Sequence, residues 1–76
     1  MIKELDCVVL TEDVPDKGLK VGDVGTVVLI HGKNEGYEVE FVTLAGKTIA
    51  IVTLLPLQLR AISERDLSHV RELSVT

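Results

Sequence analysis

The chain has 76 residues, which is enough for one domain and not for two. Hydrophobic residues make up 46% of it, yet its aromatic residues are only Tyr37 and Phe41. The core must therefore consist of Val, Leu and Ile, and branching at Cβ favours strands. The net charge of −4 works against binding to a nucleic acid backbone, because that affinity comes from Lys and Arg.

Cys7 is the single cysteine, so an internal disulfide is excluded. It lies in the apolar run CVVL, and we predict a small core residue there; the alternative is a reactive or metal-binding thiol. The sequence contains no run of 18 or more apolar residues and does not begin like a secretory signal. We therefore expect a cytoplasmic protein.

The first half of the chain predicts two strands separated by a long polar connection. The first strand is expected at Asp6 to Leu10, and a polar loop follows from Thr11 to Lys17. Glycines then mark two tight turns, and Gly18 is the residue expected at positive φ. The second strand is expected at Thr26 to Ile30, where the unbroken run TVVLI does not distinguish an inner from an outer face.

The second half predicts three more strands. In the third, Tyr37, Val39 and Phe41 alternate with Glu38 and Glu40, which indicates one core face and one acidic, solvated face. The fourth, Thr48 to Leu54, is apolar on both faces, with Ile49 and Ile51 on one side and Ala50, Val52 and Leu54 on the other. A strand buried on both sides needs a second covering layer. Pro56 ends this strand, and the last strand is expected within Leu57 to Ile62.

The residues after Ile62 have a different pattern. Ser63 to Asp66 match the capping-box form S-x-x-[DE], and apolar residues follow at i, i+3 and i+6. This predicts a short amphipathic helix from Glu64 to Leu73, or a frayed tail. We expect the apolar residues of this segment to cover one face of the fourth strand, in the same chain or across a dimer. The candidate interaction surface therefore consists of Ala50, Val52, Leu54, Leu67, Val70 and Leu73.

Five short strands with a long polar first connection describe an all-β, five-stranded SH3-like barrel. The strings GLKVGDVGTVV, YEVEF, GKTIAIVTL and QLRAI, in this order, resemble a family of small uncharacterised bacterial proteins, the domain of unknown function family 4926. The resemblance covers about Ile2 to Ile62. We expect the barrel at residues 1–62 and a helical appendage or tail at residues 63–76, about which the resemblance implies nothing. It transfers no activity, cofactor or catalytic residue. The string GDVGTVV also resembles the turn and strand of KOW-type modules of ribosomal and transcription proteins.

Catalytic and metal-binding motifs are not found in the sequence. His31 and His69 are far apart and have no Cys or His at ligand spacing, so both are expected to be solvated; the alternative for His31 is a pH-sensitive contact. We expect no cofactor, no metal and no enzymatic activity. The acidic residues indicate either a solvated surface or an anionic patch for a basic protein. The sequence therefore predicts a non-catalytic protein-interaction module that binds another protein or self-associates; the alternative is a KOW-like module that binds nucleic acid or the ribosome.

Overall fold

A computed structural model describes residues 1–73 of the chain. Its five strands are β1 (Cys7–Leu10), β2 (Val24–His31), β3 (Gly36–Val42), β4 (Thr48–Leu54) and β5 (Leu59–Ala61). All pairs are antiparallel and form one sheet in the order β4-β3-β2-β1-β5. Short 3-10 turns lie at Pro15–Lys17 and Pro56–Gln58. The predicted all-β fold with five strands is therefore confirmed.

The faces of the sheet follow from strand register. In β3, Tyr37, Val39 and Phe41 are buried while Glu38 and Glu40 lie on the opposite face, as the alternation predicted. The uninterrupted apolar run of β2 contains an irregularity: its pairing with β3 shifts between Val27 and Leu29. Because of this bulge, the strand keeps Val27 on the core face and Leu29 on the opposite face.

One hydrophobic core lies on the concave side of the sheet. Its cluster takes residues from all five strands and from the connection between β1 and β2: Val8, Leu10, Leu19, Val27, Tyr37, Val39, Phe41, Val52, Leu54 and Leu59. A flat sheet without a second layer would leave such residues in water, yet Val27 and Val39 are 0% exposed. The sheet must therefore curl around the core, with the loop residue Leu19 helping to cover it.

Two expectations about the architecture need correction. The sheet does not close into a barrel, because β4 and β5 are its edges and pair only with β3 and β1. The predicted helix from Glu64 to Leu73 is wrong, since residues 62–73 contain one turn and no helix. The alternative prediction, a tail without regular structure, describes this segment. Within residues 1–73, no helix is long and apolar enough to cross a membrane.

The glycines before and at the start of β2 have two different roles. Gly18 and Gly22 have φ angles of 72° and 94°, which favour glycine, and the prediction for Gly18 is confirmed. Gly25 has no such angle. A methyl group there would lie 2.5 Å from Cγ1 of Val39 and 2.9 Å from Cε1 of Phe41. Gly25 is therefore required by close packing between β2 and β3.

Candidate interaction surface

The six residues of the predicted interaction surface lie in two separate environments. Val52 and Leu54 are buried members of the core cluster, and Ala50 packs against it. The apolar residues of the tail, residues 62–73, lie outside this core: Leu67 is 94% exposed and Val70 is 68% exposed, while Leu73 is 38% exposed and lines a depression with Leu19 and Ile49. Within this single chain, the curled sheet covers the core face of β4. Most of the side-chain surface of Leu67 and Val70 is in contact with water.

The uncovered apolar face is the opposite one, which we call the outer face of the sheet. Register places four hydrophobic side chains on it, each between 46% and 56% exposed: Val24, Leu29, Val42 and Ile51. Ile49 is not among them. The shift in pairing between Phe41 and Val42 makes Ile49 the extra residue of a bulge, and it is half-buried near the connection between β1 and β2.

Two carboxylates lie among these side chains. Oε2 of Glu38 is 2.7 Å from Nε2 of His31 and accepts a hydrogen bond of 2.7 Å from the Thr53 hydroxyl. These hydrogen bonds, with His31 first, lower the pKa of Glu38 below its usual value. Glu40 accepts a hydrogen bond of 2.8 Å from the Thr48 hydroxyl. Over residues 1–73, neither glutamate pairs with a Lys or Arg, so the outer face carries negative charge without a cationic partner.

The first fastening of the tail is at its beginning. The guanidinium of Arg60 donates two hydrogen bonds to Asp66, of 2.8 Å and 3.0 Å. Asp66 also accepts a hydrogen bond of 2.7 Å from the Ser63 amide, and its own amide donates to the Ser63 carbonyl. Mainly because of Arg60, the pKa of Asp66 lies well below its usual range. These contacts make a compact turn that sends the chain back over the sheet.

The second fastening is near the end of the described chain. Arg71 donates from Nε and Nη2 to the two carboxylate oxygens of Asp23, at 2.8 Å and 2.6 Å, and from Nη2 to the Gly18 carbonyl at 3.2 Å. Partial burial raises the pKa of Asp23, but hydrogen bonds from Arg71 and from the Lys20 amide outweigh it, so the pKa lies below the usual 3.8. The tail is thus tied to the glycine-rich connection before β2.

Between these fastenings the tail crosses β1. A shallow depression there is lined by Cys7, Val9 and Val24 of the sheet, and by Asp66 to His69 of the tail, among others. Cys7 is exposed, so the prediction of a core cysteine is wrong. Its register with Thr26 places it on the outer face, while the neighbouring Val8 faces the core.

In the described part of the chain, no group of three or more His, Cys, Asp or Glu is placed to hold a metal ion. His31 is exposed, as expected, and contacts Glu38. The chemistry that this surface offers is therefore apolar contact and negative charge.

Sequence reasoning placed Glu38 and Glu40 on an acidic outer face but missed the apolar side chains around them. The sequence did indicate these side chains, because the strands contain more apolar residues than one buried face needs. Strand β2 has two more, and β3 and β4 have Val42 and Ile51 in addition. What was missing was the bulge in β2, because only the pairing with β3 shows which of its residues point outward.

Comparison with known proteins gives one match. No curated protein and no solved structure matches the chain. The profile of a family described as Domain of unknown function (DUF4926) matches residues 4–61, which is more than half of the chain and includes all five strands. The tail after β5 lies beyond the matched region. By this match, the chain belongs to the DUF4926 family.

Proposed function

We propose that the protein is a non-catalytic protein-interaction module whose docking surface is the outer face of β2, β3 and β4. The observation that carries this proposal is the set of four half-exposed hydrophobic side chains around two carboxylates that no Lys or Arg neutralises within residues 1–73. Apolar side chains supply binding energy when a partner buries them, and charges select the partner.

The charges favour a basic protein over a second copy of this chain. Two copies meeting through this face would bring Glu38 and Glu40 of each close to those of the other, and like charges repel. A partner with Lys or Arg between apolar residues would neutralise both carboxylates. An exposed strand edge at β4 adjoins the same face and offers backbone groups to an added strand.

We also assign the curled sheet to a partly open variant of the SH3-like barrel. Support comes from the five antiparallel strands, the long polar connection between β1 and β2, and the 3-10 turn before β5. Such an arrangement leaves the outer face free for a ligand.

The test is capture of partners from the native host with four immobilised forms of the protein, the wild type and three variants. Ile51→Ser removes an apolar contact and Glu40→Gln removes a charge, while both keep the sheet. Leu44→Ser is the matched control, because Leu44 is 91% exposed but lies in the turn between β3 and β4. We expect a protein retained by the wild type and by Leu44→Ser but lost from the two outer-face variants, with weaker capture at high salt.

Capture that is equal in all forms would overturn the proposed surface, and a lack of any captured protein would remove support for an interaction module. The KOW-like alternative is tested in parallel by titration with RNA and DNA at low salt. Binding that weakens steeply with added salt would favour a nucleic acid function instead.

A further inference from the structure

Val9 occupies an unusual position for a buried residue. It is 6% exposed, yet it does not belong to the core cluster that contains its neighbours Val8 and Leu10. Its register partners, Val24 and Arg60, lie on the outer face. Val9 is therefore an outer-face residue that other groups cover, and it lies beside its exposed register partner Val24.

The cover is the tail together with Arg60. Asp66 to His69 line the same depression as Val9, and so does Arg60, the register partner of Val9, which donates two hydrogen bonds to Asp66. The apolar side chains of the tail contribute little to this closure, since Leu67 and Val70 point into water. The segment is held by charged groups, at Asp66 and at Arg71.

Ionic fastenings of this kind are reversible. The side chains of Arg71 and Asp23 are 32% and 17% exposed, so water and salt reach the pair. A competing cationic side chain would take the place of Arg71 by donating one or two hydrogen bonds to the Asp23 carboxylate. Release of the tail would join Val9 to the apolar surface that continues through Val24.

We propose that the tail is a displaceable strap, which occupies the β1 end of the docking surface in the free protein and yields to a partner that supplies an apolar side chain for Val9 and a cation for Asp23. This inference rests on the proposed function of the outer face. It adds that the partner's basic, apolar segment runs across the sheet from β4 to β1, and that the tail competes with it for the last part of that path.

The first experiment measures whether the strap is closed, by ¹⁵N relaxation of the full chain. Arg71→Gln removes the fastening, and Arg65→Gln is the matched control, because it makes the same change of charge in the same exposed segment. The Arg65 side chain has no hydrogen bond or ion pair within the described residues. In the wild type and in Arg65→Gln we expect order parameters of about 0.8 for residues 67–71, and in Arg71→Gln values below about 0.6, while Asp66 stays ordered through its bonds to Arg60 and Ser63. The methyl resonances of Val9 and Val24 should shift in Arg71→Gln alone.

The second experiment titrates the same three proteins with a short peptide of alternating Lys and Val. We expect Arg71→Gln to bind it roughly 3- to 10-fold more tightly than the wild type, because the closed strap reduces the competent population. Arg65→Gln should bind like the wild type, which removes the effect of net charge.

Each result has a separate meaning. A tail that is flexible in the wild type, or unaffected by Arg71→Gln, overturns the strap whatever the peptide does. An ordered tail with equal peptide affinity in all three proteins overturns the competition and leaves the proposed function standing. If no protein binds the peptide and the capture experiment also finds no partner, the proposed function fails and the strap fails with it.

Discussion

Replacing Gly25 by Ala tests whether β2 and β3 are as closely packed as the structure indicates. The new methyl group would lie 2.5 Å from Cγ1 of Val39, 2.9 Å from Cε1 of Phe41 and 3.0 Å from the Glu40 carbonyl oxygen. Val39 and Phe41 are 0% and 3% exposed, so neither can move without displacing other core residues. The third contact is backbone and is fixed by the ladder with β2.

Overpacking of this kind costs about 1–3 kcal/mol of the free energy of unfolding. The change from Gly to Ala also reduces the entropy of the unfolded chain, which raises the free energy of unfolding by about 0.4–1 kcal/mol. The net destabilisation should therefore be about 1–2 kcal/mol, which is a substantial part of the roughly 4–11 kcal/mol typical of a chain of this length. For so small a domain, the expected decrease in Tm is about 4–16 °C.

The assay is urea unfolding of a double-mutant cycle with Val39→Ala, which removes Cγ1 of Val39, the nearest of the three atoms that the new methyl group would contact. Because the two changes compensate sterically, the double mutant should be more stable than the sum of the single effects predicts, by at least about 0.5 kcal/mol. Gly18→Ala is the control: it places a residue at a φ of 72° but meets no atom within 4 Å, so it should destabilise without coupling to Val39. Additive effects of Gly25→Ala and Val39→Ala, or a neutral Gly25→Ala, would refute the packing argument.

Two further predictions concern the tail. Asp23 and Asp66 both have pKa values lowered in the folded chain, so their ion pairs contribute stability that is fully present above the ordinary carboxyl pKa and is lost as the pH falls through the lowered values. The order parameters of the tail should therefore be the same at neutral pH and at about pH 5, and should decrease only below the ordinary Asp pKa of about 3.9. Release near neutral pH would contradict the assignment of these ion pairs. Deleting residues 63–76 should preserve the far-UV circular dichroism spectrum and a cooperative unfolding transition, because the core cluster contains no tail residue. The exposure of Val9 should lower the free energy of unfolding by about 1–2 kcal/mol. Loss of the fold would show that the tail is part of the core.

The sequence predicted those parts of the fold where a residue's environment follows from its neighbours. The alternation in β3 was enough to place Tyr37 in the core and Glu38 outside it, and Gly18 was correctly assigned a positive φ. In β2 the apolar run has no alternation, so the face of Leu29 depends on a bulge that only the pairing with β3 fixes. The same ambiguity explains Cys7, which belongs to an apolar run whose alternate residues face opposite sides.

The tail shows a different limit of sequence reasoning. The capping-box pattern did indicate a local contact, because Asp66 accepts a hydrogen bond from the Ser63 amide. A helix of this length also needs its apolar stripe to dock, whereas Leu67 is 94% exposed within residues 1–73. The ion pair between Arg71 and Asp23 joins residues 48 positions apart, and nothing local in the sequence indicates such a pair.

The free edge of β4 bears on how the molecule behaves in concentrated solution. Thr48 to Leu54 contain no charged residue, and the bulge at Ile49 distorts only the first part of the strand. From Ala50 to Leu54, the edge lacks the lysines and prolines by which edge strands commonly resist recruiting one another. Mutual repulsion through the net charge of −4 is then the main protection against stacking of sheets, and it disappears near the isoelectric point of about 5.0. Mildly acidic buffers should therefore favour fibrous assembly of this fold, whereas neutral buffers keep its copies apart.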